Sequence, residues 1–413
     1  MVTYLRPFLL LLLVGLIGVS GFRAQAEKEN PILLSRQRLY LFDSSTNGER
    51  KAVVTDAIYI YDSTFHIVTS RPIDEPISYI SLSPDGSLLA VQNEIWETDT
   101  LRPLFQLKTA YILGDWSADG KFISAVAPGA NGIVVYDTHT GKLIKTIAID
   151  NIQLGFNPLW SVDGRYFTAT HRRKMVAVMD ANGSQPPKRY AQQENVGPTM
   201  AWSHDGRRIA FTAFDEVPPT TPDSKPVAYS NTGAVLDSIH IMDAATGTIQ
   251  QTFTGLSYRA EELRWSPDDK QLLAEISPRN ILIWDVKSGN LKENYQFAGR
   301  IVGAKYSPFG GQVILGLDTS VTSTANDTSI FARTFLGGAV GFIVPSPSLE
   351  RLKSVTQGCR LQPNVQAALI SQIDANDLNT FKTQVSALTN ADMPEGCKAD
   401  LLAVADALMA QSQ

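Results

Sequence analysis

Between about residue 38 and residue 344, short apolar runs alternate with turns rich in Ser, Asp and Gly; beyond residue 349 the apolar positions recur instead at intervals of three and four. The first pattern predicts strands. Runs such as Ile133-Val134-Val135-Tyr136 and Ile281-Leu282-Ile283-Trp284 are β-branched or aromatic and too short to be helices. The second predicts helices over Leu349–Val355, Val365–Ile373, Leu378–Leu388 and Lys398–Met409, with Asp374 and Asn376 as starts and Pro363 and Pro394 as interruptions.

The strand region is periodic. One turn recurs as Ser83-Pro84-Asp85-Gly86, Ser117-Ala118-Asp119-Gly120, Ser161-Val162-Asp163-Gly164 and Ser203-His204-Asp205-Gly206, with weaker copies at Ser266-Pro267-Asp268-Asp269 and Ser307-Pro308-Phe309-Gly310. A Trp precedes the Ser in four copies, at Trp116, Trp160, Trp202 and Trp265. A second motif follows, an apolar strand ending in an aromatic residue or Met plus Asp: Tyr136-Asp137, Met179-Asp180, Met242-Asp243 and Trp284-Asp285, with Tyr61-Asp62 and the relaxed Trp96-Glu97. All six Trp therefore occupy one of two equivalent positions in the repeat, which marks a repeat architecture.

Each motif has a local cause. In Ser-x-Asp-Gly the Asp side chain accepts backbone N–H groups of the turn, and Gly takes φ > 0 without a Cβ penalty. Asp85, Asp119, Asp163, Asp205 and Asp268 are thus read as turn residues, since catalytic groups occur once and scaffold groups repeat. Each unit reads as four short antiparallel strands. Such a sheet cannot bury both apolar faces alone, so units stack face to face, and stacking that closes on itself is a β-propeller. Arg38 to Val344 is 307 residues; at about 44 residues per blade this gives seven blades, with six or eight as the alternatives. The expected class is all-β, a seven-bladed β-propeller of four-stranded antiparallel blades followed by a small α-helical tail. The expected divisions are a signal peptide at 1–26, a linker at 27–37, the propeller at 38–344 and a helical extension at 345–413. The first blade is expected to lack the Ser-x-Asp-Gly turn, and a Pro- and Thr-rich insertion is expected at 215–237 in the fifth.

The Trp-Ser-x-Asp-Gly turn, a strand and an aromatic-Asp ending together resemble the WD40-like repeats of TolB-type bacterial propellers, over roughly 300 residues of the chain. The Gly-His pair that opens many WD40 repeats is absent, and with it the buried Asp-His-Ser/Thr-Trp network of that family. The resemblance implies the propeller fold and a general tendency to bind partners, and no particular partner.

The N-terminus carries Arg6, an apolar stretch from Phe8 to Val19 and Ala24-Gln25-Ala26. A basic start, a short apolar core and a small-x-small site describe a cleavable signal peptide, the stretch being shorter than the ~20 residues of a spanning helix. This predicts a secreted or periplasmic protein with no membrane span after cleavage. Cys359 and Cys397, the only cysteines, both fall in the tail. In an oxidising compartment a co-located pair is expected as a disulfide.

Charge and composition narrow the function. The net charge is −5 and no basic block exists, which argues against nucleic acid. The five His form no metal-ligand spacing, no Gly-x-Ser-x-Gly elbow occurs, and the tail is too short for a hydrolase domain. No cofactor, metal or catalytic group is therefore expected. What does not repeat is more informative. Loops joining the second to third and fourth to first strands crowd one mouth of a propeller, and there the sequence places Arg172, Arg173, Lys174, Arg259, Arg279 and Arg300 with the insertion. Glu194, Asp215, Glu216, Asp223, Glu261 and Glu262 share that mouth. The expectation is a non-enzymatic scaffold whose basic loops dock another protein or an envelope component. The alternative is a ligand-binding propeller enzyme of lactonase or quinone-dependent dehydrogenase type.

Overall fold

The computed structural model describes residues 32–411 apart from 36–37, 109–111, 127–131, 149–158, 172–174, 182–184, 187, 192–194, 215–236, 257–259, 277–278, 298, 319–337, 345–346, 360 and 390. The expected signal peptide and nearly all of the expected insertion lie outside these residues. The fold is an all-β propeller followed by helices. Six blades, spanning residues 41–72, 80–106, 112–148, 159–191, 195–256 and 260–296, each take four consecutive antiparallel strands. A further four-stranded sheet closes the ring: three strands come from 300–343, and the outer one, Ile32–Ser35, comes from the N-terminus and pairs with Gly338–Ile343.

That last pairing corrects the linker expected at 27–37. Four apolar or hydroxyl residues with no turn signal beside them carry no hairpin pattern, and their partner lies some three hundred residues away in sequence, so nothing local identifies the strand.

Each junction between neighbouring sheets has its own apolar cluster. Ile58 and Ile60 meet Leu82 and Leu89 between the first two blades; Trp265 and Leu272 meet Ile239 and Phe253 between the fifth and sixth. Phe42 and Tyr61 meet Ile314 where the closing sheet abuts the first blade. Burial of both faces is therefore shared between neighbours, as stacking requires. The first strands touch one another around the ring and so lie innermost: Leu41–Ser44, Ile80–Leu82, Ile112–Trp116, Leu159–Trp160, Asn195–Trp202, Ala260–Trp265 and Arg300–Tyr306. The fourth strands form the rim.

The first blade does carry the turn it was expected to lack. Ser45-Thr46-Asn47-Gly48 folds as the others do, with Asn47 Oδ1 accepting from the Ser45 hydroxyl at 2.7 Å and from the Glu49 amide at 3.0 Å. An amide oxygen accepts as a carboxylate does, and a search for Asp alone misses it.

The tail is four helices, α1 (Leu349–Gly358), α2 (Pro363–Asp374), α3 (Leu378–Ala387) and α4 (Glu395–Gln411). Pro363 opens α2 rather than interrupting a helix, because the first helical amide needs no partner. Asp374 ends α2, and the cap of α3 is Asp377, whose carboxylate accepts from the Thr380 amide. A core of Leu352, Leu369, Phe381, Leu401 and Val404 is crossed by the Cys359–Cys397 disulfide. No helix among the described residues is long and apolar enough to cross a membrane.

Candidate functional site

Two layers of the ring hold its polar chemistry. The first is the turn layer on one face. In the second to sixth blades the turn Ser donates to the turn Asp over 2.6–2.8 Å: Ser83 to Asp85, Ser117 to Asp119, Ser161 to Asp163, Ser203 to Asp205 and Ser266 to Asp268. The amide four residues after each Ser donates to the same oxygen. The Ser hydroxyl in turn accepts from the amide five residues on. Burial, the largest single influence, raises the carboxyls of Asp85, Asp119, Asp163 and Asp205, but these donors together outweigh it and hold them below the ordinary aspartate range. All five predicted turn carboxylates are thus occupied locally. The aromatic-Asp motif behaves alike, with Asp137, Asp243 and Asp285 each accepting from the hydroxyl and amide of a following Thr or Ser.

The second layer lines the channel. Two residues before each turn Ser, the innermost strands carry Asp43, Ser81, Asp115, Leu159, Ala201, Arg264 and Lys305. The turn carries Asp in five of the seven sheets, whereas this position differs in almost every one. Asp43 and Lys305 form an ion pair, and Asp43 also accepts from the Leu82 amide at 2.8 Å. Arg264, half-buried, donates to Glu262 over 3.1 Å. Asp115, on the third blade, feels Arg264 of the sixth and Lys305 of the closing sheet, so these charges share one space. Burial nevertheless pushes Asp115 up to about 6.

Glu275 stands beside this group. It pairs across the strands with Glu262, is 6% exposed, and its Oε2 has no hydrogen-bond partner. Burial, then the neighbouring Glu262 charge, raise its pKa, while Arg264 and Arg300 pull it back. Arg264 is held charged by Glu262 first, against its burial, with Asp43, Asp115 and Glu275 adding to the effect.

Of the six basic residues expected to form a docking patch, Arg172, Arg173, Lys174 and Arg259 lie outside the described residues. Arg279 sits in the turn joining the second and third strands of the sixth blade, and Arg300 opens the closing sheet, exposed. Both are on the mouth opposite the Ser turns. Asp43, Asp115, Arg264, Lys305 and Glu275 were not anticipated. For all but Glu275, the signal available was the column two positions before the turn Ser, where the residue type changes from sheet to sheet. A separate cleft of 650 Å³ lies between the turn face and the tail, lined by Pro267, Asp268, Pro308, Phe309, Arg351 and Met393 among others. Among the described residues no His, Cys, Asp and Glu side chains gather into a metal-binding group.

No family model matches the chain, and no curated protein matches its sequence.

Proposed function

We propose that this chain is an exported, non-enzymatic propeller that serves as an interaction scaffold, docking a protein or cell-envelope component at the mouth opposite its Ser turns. We count the composite sheet as the seventh blade and read the repeats as WD40-like, of TolB type, on the Trp-Ser-x-Asp-Gly pattern. The Cys359–Cys397 disulfide is in keeping with an oxidising compartment and so with cleavage of a signal peptide at 1–26. The observation that carries the scaffold reading is the charge compensation of the channel. Asp43 is paired with Lys305 and Glu262 with Arg264, so these side chains neutralise one another instead of converging free on a substrate. The rigid ring leaves its varied loops, including Arg279 and Arg300, to make contacts.

A second reading rests on a specific observation. Glu275, buried with an unpartnered oxygen, and Asp115, raised to about 6, are the perturbed acids that a small-molecule site would use.

Charge reversal at Arg172, Arg173, Lys174 and Arg300 tests the first. Loss of the partners captured from the exported fraction, with an unchanged melting temperature, supports docking at the mouth; an unchanged partner set contradicts it. Turnover of lactones or of alcohols with a quinone, abolished by Glu275→Gln, would establish the second reading instead.

A further inference from the structure

The closing sheet breaks the turn rule at two positions at once. Where the other turns have Asp or Asn, Ser307-Pro308-Phe309-Gly310 has Phe309. Where the others carry a polar side chain four residues after the Ser (Glu49, Ser87, Lys121, Arg165, Arg207 and Lys270), it has Gly311. The carboxylate comes instead from α4. Asp400 Oδ2 accepts from the Ser307 hydroxyl at 2.8 Å and from the Gly311 amide at 3.2 Å, the same two donors that each local Asp satisfies elsewhere. It also accepts from the Phe309 amide at 3.2 Å, and its Oδ1 from the Gln312 side chain at 3.3 Å.

Gly311 makes this approach feasible. A Cβ there would lie 2.6 Å from the Asp400 Cβ and 2.9 Å from its Cα, which is backbone and cannot swing aside. Phe309, freed from the turn's hydrogen bonding, packs against the apolar core of the tail. The exchange is reciprocal. The sheet gives the tail an aromatic ring and receives a carboxylate, and Arg351 of α1 adds a hydrogen bond to the Gly310 carbonyl and one of 2.9 Å to Gln271 of the neighbouring blade.

We infer that the helical tail is the clasp of the ring: its docking surface is the Ser307 turn, its key is the Asp400 side chain, and the closing sheet is incomplete without it. The tail and the N-terminal strand Ile32–Ser35 then hold the same sheet, one at its turn and the other at its outer edge. This inference is independent of the function proposed above.

The test is hydrogen exchange on the full chain, comparing the peptide spanning residues 305–314 with the equivalent peptide around Ser203. Asp400→Ala and Gly311→Ala should each accelerate exchange at least tenfold in the first peptide and leave the second unchanged. Asp400→Asn should stay within a few fold of the wild type, because Asn47 performs the same task in the first blade. Phe309→Asp combined with Asp400→Ala should restore protection of the turn while leaving the tail open to proteolysis near residue 348. If Asp400→Ala does not fold, that double variant is still expected to. The inference is overturned if exchange around Ser307 is indifferent to Asp400→Ala, or if Phe309→Asp fails to restore it.

Discussion

Carboxylates in the turn layer and carboxylates in the channel layer are the same chemical group put to opposite electrostatic uses. Asp85, Asp119, Asp163 and Asp205 sit near water with a hydroxyl and an amide aimed at each, and their pKa values fall. Asp115 and Glu275 sit among protein with fewer donors, and their pKa values rise. The turn acids repeat because each solves the same local problem; the channel acids do not, because nothing in the fold demands them. Scaffold chemistry is therefore periodic here, and the candidate functional chemistry is what breaks the period.

The largest expected effect breaks the turn layer. Asp85→Ala with Asp163→Ala should cost about 2 kcal/mol, on the order of 1 kcal/mol for each turn, and the two should add, since the turns share no partner. Chemical denaturation checks it; a cost confined to one of the two variants would show that the turns are not equivalent.

The next prediction separates the layers by pH. A depressed pKa means that folding favours the ionised form, so the contribution of Asp85, Asp119, Asp163 and Asp205 is present above the ordinary aspartate range and is lost as pH falls through their lowered folded-state values. A raised pKa has the reverse sign: the folded state favours the proton, and stability declines as pH rises. Glu275→Gln should therefore flatten the decline above the ordinary glutamate range and leave the protein more stable than the wild type in mildly alkaline solution. Asp115→Asn should remove a smaller slope between its ordinary value of 3.8 and about 6. Unfolding midpoints from acid to mildly alkaline pH measure both, and a steeper slope in either variant would reverse the assignment.

The smallest stability effect should come from the mouth. Arg279→Glu with Arg300→Glu should change folding by no more than about 0.5 kcal/mol while reducing partner capture.

How much was legible in the sequence follows the same division. Ser-x-Asp-Gly and aromatic-Asp-x-x-Thr-Gly are local devices whose partners lie within five residues, so the repeat, the strand boundaries and the hairpins could be read directly. Asn47 departs from the motif only in carrying an amide where the other turns carry a carboxylate. The outer strand Ile32–Ser35 and the Asp400 contact could not be read, since each joins residues far apart: Ser307 and Asp400 are separated by 93 positions. Phe309 in place of Asp was visible as a weakened copy, and the structure shows that the weakness marks a dock. The charges of Asp43, Asp115, Arg264 and Lys305 were present in the repeat alignment, in a column where only Asp recurs. Seeing that Asp115 and Arg264 face a common space required the ring to be closed.

The central claim is that contacts are made by the varied mouth and not by the uniform turn face. Affinity capture from the native host, with amine cross-linking and mass spectrometry, measures this directly. Lysines report both sides: the repeat pattern of the sequence assigns Lys174 and Lys225 to loops of the mouth, and Lys121, Lys270 and Lys287 lie in turns of the opposite face. The account predicts partner cross-links at Lys174 and Lys225. Cross-links concentrated at Lys121, Lys270 and Lys287 would contradict it.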